Sequence, residues 1–175
     1  MDTNHEDIIR IRSEVERLQL DGWEFVLAVP FDSLLKFYNG TGPENLPEAI
    51  REKLDKIAKP FLPAVMVHDL DFTWSDGTVK AFNEANKRLL KNCIICATDT
   101  APWYSWRRYA LLAEALTFYL ACKKLGWVAW LAAYHDNRQN NWSTIETRPA
   151  IWYHIRRSTA HFTGGPEGWP RMTPW

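Results

Sequence analysis

The sequence predicts a mainly α-helical domain of four to five helices with a minimal β element and a Trp-rich, irregular C-terminal arm. Three observations carry that expectation. Apolar residues recur at three- and four-residue intervals through most of residues 1–134, Gly and Pro punctuate those runs, and no helical period survives beyond them. The expected division is a helical domain over 1–134 and an aromatic arm over 135–175 that packs on the domain or on a partner.

The elements follow in order. Thr3 and Glu6 have capping-box spacing, and Ile8, Ile11, Val15 and Leu18 then form an apolar stripe, so a first helix is expected to end near Asp21-Gly22. Trp23, Phe25, Leu27 and Val29 alternate at period two before Pro30, which reads as a short strand needing a partner strand. Phe31-Asp32-Ser33-Leu34 suits one helical turn, and Asn39 to Pro43 is a loop. Ile50, Leu54 and Ile57 mark another helix after Pro47, and Pro63 suits the first turn of the next, which continues Ala-Val-Met-Val-His-Asp-Leu-Asp-Phe.

Ser75-Asp76-Gly77 is a turn, and a helix from Thr78 to about Ala97 carries Phe82, Asn86, Leu89 and Cys93 on one stripe. A long helix is expected from Ser105 to about Lys124, with Gly126 as its C-terminal cap and a few helical turns or a bent continuation after it. In the arm, Ala150 to Ile155 reads as a strand able to pair with the one near Trp23.

Composition limits the partners. Lys and Arg number 21 and Asp and Glu 21, so the formal net charge is zero and no general field draws in nucleic acid or an anionic membrane. The most apolar stretch, Tyr109 to Tyr134, contains Glu114, Lys123 and Lys124, which argues for buried helix over a transmembrane segment. The first 18 residues lack the pattern of a secretory signal, so the expected location is the cytosol where the chain is made, unless a particle carries it out. Without export, Cys93, Cys96 and Cys122 read as small core residues, and the Asn141 sequon means little. The distinctive count is ten Trp against eight Gly, which demands wide half-buried surfaces or a docking face.

One constellation bears chemistry. His68, Asp69 and Asp71 lie in an otherwise apolar helix, where polar groups need partners. His68 shares a face with Phe72, whereas Asp69 is turned by about 100° from it. The imidazole therefore faces a neighbouring helix and the carboxylate faces a loop or ion. Asn86 is the polar group aimed inward from the following helix.

These residues resemble two known groups. A His-Asp-x-x-(Tyr/Phe) helix followed by an Ala-Asp-x-x-(Phe/Leu) helix is similar to the two-helix core of calcium-dependent His/Asp phospholipases, secreted and parvovirus-capsid forms included. Over residues 23 to 134 the chain also resembles a family of small phage and prophage proteins. The matching residues are Ala64 to Phe72, Ala85-Asn86-Lys87-Arg88-Leu89, Trp106-Arg107-Arg108-Tyr109 and Gly126-Trp127-Val128-Ala129-Trp130.

The resemblance implies a phospholipase-like two-helix core, with His68 as general base for water. It also implies calcium at Asp69, with Asp71 and the loop residues Asn39, Gly40 and Gly42 as further ligand candidates. The acid that would orient the His is replaced by Asn86. An amide cannot balance an imidazolium, and in serine-protease triads that change costs about ten-thousand-fold, or about 5 kcal/mol of barrier. Two readings of His68 and Asp69 follow, a catalytic or ion-binding pair and a structural pair tying helices together.

Three functions are consistent with these residues. The leading one is a phage- or prophage-type structural or docking component with lost or weak hydrolysis. Its partner, another protein or a second copy, would be engaged through Trp142, Trp152, Arg156, Arg157, Trp169 and Trp175. The second is an active calcium-dependent lipid esterase, the one case that requires membrane contact. The third is a small host-directed inhibitor.

Overall fold

The structure is a computed structural model that describes residues 5–38, 52–53 and 56–139. It is mainly helical, and no strand occurs among the described residues. The order is α1 (His5–Arg17), α2 (Trp23–Ala28), α3 (Phe31–Phe37), a 3-10 turn (Lys59–Phe61), α4 (Leu62–Thr73), α5 (Val79–Thr100) and α6 (Trp106–Gln139). Helices α5 and α6 pack along each other, α4 lies against both, and α1 to α3 close the remaining side of α4.

Helix α1 buries Ile8, Ile11 and Val15, the stripe read from the sequence, and ends at Arg17, four residues before Asp21. The chain then turns through Gly22, whose φ of 95° is the left-handed conformation that favours glycine. A Cβ at Gly22 would meet Val67 Cγ1 at 3.0 Å, so this turn also needs the absence of a side chain.

The expected strand at Trp23 is a short helix. Phe25, Val26 and Val29 are the enclosed residues, a helical rather than alternating set, and their amides bond back to Gly22 and Phe25. A short apolar run fits both periods, and here the tight turn at Gly22 decides in favour of the helix. Pro30 ends α2 and begins α3.

Pro63 stands in the first turn of α4, as its fixed φ favours. This helix is enclosed almost all round: Ala64, Val65, Met66, Val67, His68, Leu70 and Asp71 are all buried. The Ser75-Asp76-Gly77 turn leads to Thr78, which caps α5 by accepting from the Ala81 amide at 3.2 Å. Cys93 and Cys96 are buried on α5 and unbridged, consistent with small core residues.

Helix α6 corrects a second expectation. It passes through Gly126 without ending and continues to Gln139, beyond the boundary placed at 134. Gly126 is a spacer, because a Cβ there would lie 3.2 Å from Phe72 Cζ and 3.6 Å from Phe82 Cε2. Around it Phe72, Phe82, Trp127 and Trp130 form an aromatic cluster distinct from the main core, with Phe72 and Trp130 edge to face at 5.0 Å.

Candidate functional site

His68, Asp69 and Asp71 fall within four consecutive positions of α4 and face three different neighbours. The helical rotation of about 100° per residue is the cause. His68 looks toward the aromatic cluster, with its ring 4.4 Å from that of Phe72. Asn86 of α5 lies against the imidazole, as the resemblance implies for the position that follows it on the next helix.

The chemistry of that meeting is restrained. Burial lowers the His68 pKa to about 4; the Asn86 side chain opposes the shift, and the Arg88 charge adds to it. Nε2 of His68 and Oδ1 of Asn86 are enclosed, and neither makes a well-formed hydrogen bond. The Asn86 amide nitrogen is committed to its own helix, donating to the Phe82 carbonyl at 2.8 Å.

Asp69 turns toward α6, where its charge bears on Cys122. Its Oδ2 is enclosed with no hydrogen-bond partner, and burial raises its pKa well above the ordinary carboxylate range. Asp71 faces the opposite direction, into an ion network. It accepts a short hydrogen bond from Arg88 Nη1 of α5. Burial raises the Asp71 pKa, and the Arg88 charge opposes that rise.

The network extends to the turn before α2. Arg88 Nε lies 3.7 Å from Asp21 Oδ1, and Lys91 Nζ lies 3.0 Å from Asp21 Oδ2. Asn92 binds the same residue through its backbone, accepting from the Asp21 amide at 2.8 Å and donating to the Asp21 carbonyl at 3.0 Å. Two acids and two bases thus balance one another, with Arg88, Asp71 and Asp21 enclosed and Lys91 at the rim. Burial works against the Arg88 charge, but Asp71 and Asp21 outweigh it and hold the guanidinium above its ordinary pKa.

Sequence reasoning missed Arg88, Asp21, Lys91 and Asn92. The available signal was a basic residue one turn from Asn92 within the stripe of Ala85, Leu89 and Cys93. The two aspartates proposed for calcium do not share a direction, and Asp71 is already paired with Arg88. Among the described residues no group of three or more His, Cys, Asp or Glu side chains is arranged to hold a metal ion. The loop candidates Asn39, Gly40 and Gly42 and the arm residues Trp142, Trp152, Arg156, Arg157, Trp169 and Trp175 lie outside the described residues.

A second region stands apart from these polar groups. At the corner between α5 and α6, Trp103 and Tyr104 are 74% exposed, Trp106 is 79% exposed and Tyr109 63% exposed. Trp103 and Tyr104 meet edge to face at 5.8 Å. Arg107 and Arg108 lie beside them in the chain, and the rings stay exposed among the described residues.

The fold and the two sites define a class: a helical protein with a buried His/Asn pair, a buried ion network and an exposed aromatic corner. Comparison with protein-family models, with curated proteins and with solved structures found no match to this chain. Among the described residues no helix is long and apolar enough to cross a membrane.

Proposed function

We propose that the chain is a helical docking protein, a structural component of the phage or prophage type, in which the phospholipase-like helix pair has become core. The observation that carries this reading is the exposed corner of Trp103, Tyr104, Trp106 and Tyr109. Large aromatic side chains exposed together are costly in water and are the residues that make binding hot spots. With zero net charge, such a chain docks by aromatic burial rather than by electrostatic capture.

The polar residues support the same reading from the other side. A general base works best with a pKa near the operating pH, and His68, at about 4, lies well below neutrality. Its partner is an uncharged amide, which favours the protonated ring by a hydrogen bond but brings no negative charge to balance the imidazolium that proton abstraction creates. Location in the host cytoplasm or on a particle is part of the same proposal.

Two measurements test it. Phospholipid vesicles incubated with the protein, with and without calcium, are expected to release no fatty acid, and His68→Ala is expected to behave identically. Calcium-stimulated release that vanishes in His68→Ala would establish the esterase instead. A photo-crosslinking amino acid at Trp106 is expected to give discrete adducts in infected cells or particles, whereas one at Arg10 on α1 is not. Adducts to one host protein alone would identify an inhibitor, and absence of adducts at Trp106 would remove the docking reading.

A further inference from the structure

The exposed corner continues along α6 as a stripe. Trp106, Tyr109, Ala113, Leu116 and Leu120 are spaced three, four, three and four residues apart, so they line one side of the helix. All five are exposed, Leu116 by 49% and Leu120 by 45%. This is the spacing of a helix-pairing seam turned outward to solvent, while Leu111, Ala115 and Phe118 occupy the opposite, buried side.

The surroundings of the stripe define its partner. The flanking positions are Ala110 and Thr117 on one side and Leu112 and Tyr119 on the other, all uncharged. Arg107, Arg108 and Glu114 are rotated by more than about 100° from the stripe's centre, and Lys123 and Lys124 mark its end. Large aromatic residues occupy one end, leucines the other and the small Ala113 the middle, which makes the stripe complementary to its own reverse.

We infer that the partner of this face is a second copy of the chain, bound through antiparallel packing of α6 on α6 about a two-fold axis at Ala113. This rests on the docking reading above and names its occupant. The alanines let the helices approach closely, while Trp106 and Tyr109 of each copy lie opposite Leu120 and Leu116 of the other. Lys123 and Lys124 of each copy then fall beyond Trp106 of the other, away from their own counterparts. A parallel pairing would instead set Lys123 and Lys124 against their own copies. The seam and its aromatic ends bury on the order of 1,000 Å² in the pair, where specific interfaces begin.

The test uses the full chain. Sedimentation equilibrium is expected to give twice the 20.4 kDa chain mass for the wild type. Leu116→Glu is expected to give the single-chain mass with unchanged helical circular dichroism, and Trp106→Ser to shift the equilibrium the same way. A short bismaleimide is expected to link Ala113→Cys into dimers but not Leu120→Cys, whose copies stand about 21 Å apart along the axis at 1.5 Å per residue. An equal mixture of Trp106→Cys and Leu120→Cys is expected to link. Wild type that is monomeric at every concentration, or linking of Leu120→Cys to itself, overturns the antiparallel self-pairing. A monomer whose Trp106 crosslinks to a different protein overturns it while leaving the docking reading intact.

Discussion

Helices α4 and α6 depart from ordinary patterning in opposite directions. Helix α4 carries His68 and Asp71 into the interior, and α6 carries Trp106, Tyr109, Leu116 and Leu120 out to solvent. The inward polar groups are only partly compensated. Asp71 finds Arg88, whereas Asp69, two residues away, has an enclosed oxygen with no partner. The outward apolar groups stay exposed among the described residues. Residues with familiar catalytic identities are thus held away from solvent, and residues suited to contact are presented to it.

The largest effect on this contrast should come from Arg88→Met. It keeps most of the side-chain volume but strips Asp71 and Asp21 of their central cation. Breaking a buried pair from one side typically costs about 3–5 kcal/mol, and urea unfolding at neutral pH should show a loss of that size. Adding Asp71→Leu should restore part of it, because two apolar residues leave less buried charge uncompensated. A loss below about 1 kcal/mol for Arg88→Met would mean that the network is not load-carrying for the fold.

The next effect is a pH dependence from His68. Its folded pKa of about 4 lies below the ordinary 6.5, so the unfolded chain binds the proton first as pH falls. The stabilising contribution is therefore complete above about pH 6.5 and is lost progressively toward pH 4, about 3 kcal/mol in all. His68→Gln should flatten the unfolding free energy over that window, and an unchanged slope would contradict burial of the imidazole.

Asp69 gives the opposite sign. Its folded pKa is raised, so its contribution is greatest below the unfolded value of 3.8 and declines as pH rises. Asp69→Asn should therefore stabilise the protein at neutral pH by about 1–2 kcal/mol and make little difference in acid. Destabilisation by this change at neutral pH would reveal a cation held by the carboxylate. The smallest effect belongs to the outer face: Trp106→Ser should alter monomer stability by no more than about 0.5 kcal/mol while removing association.

Much of this was legible in the sequence. Long periodic runs gave α1, α4, α5 and α6, and the stripe positions of His68 and Asn86 turned both groups inward, while their pairing followed from the resemblance alone. The segment from Trp23 to Ala28 was misread because six apolar-rich residues suit either period, and the deciding feature was the left-handed turn at Gly22. Gly126 was read as a cap because nothing local reveals that Phe72 and Phe82 press on it from other helices. The ion network was hidden for a similar reason. Helical position says which way Asp71 points, but not that Arg88, 17 residues on, and Asp21 from the turn before α2 lie across from it.

The central claim is that the chemistry-bearing residues of α4 belong to the interior and that contact is made from α6. The most direct test is an NMR titration of the His68 imidazole in the wild-type protein, assigned by comparison with His68→Gln. The expected result is a ring that stays neutral from pH 8 down to about pH 5, with protonation only near 4. A midpoint at or above 6.5 would contradict the claim and return His68 to the role of a working base.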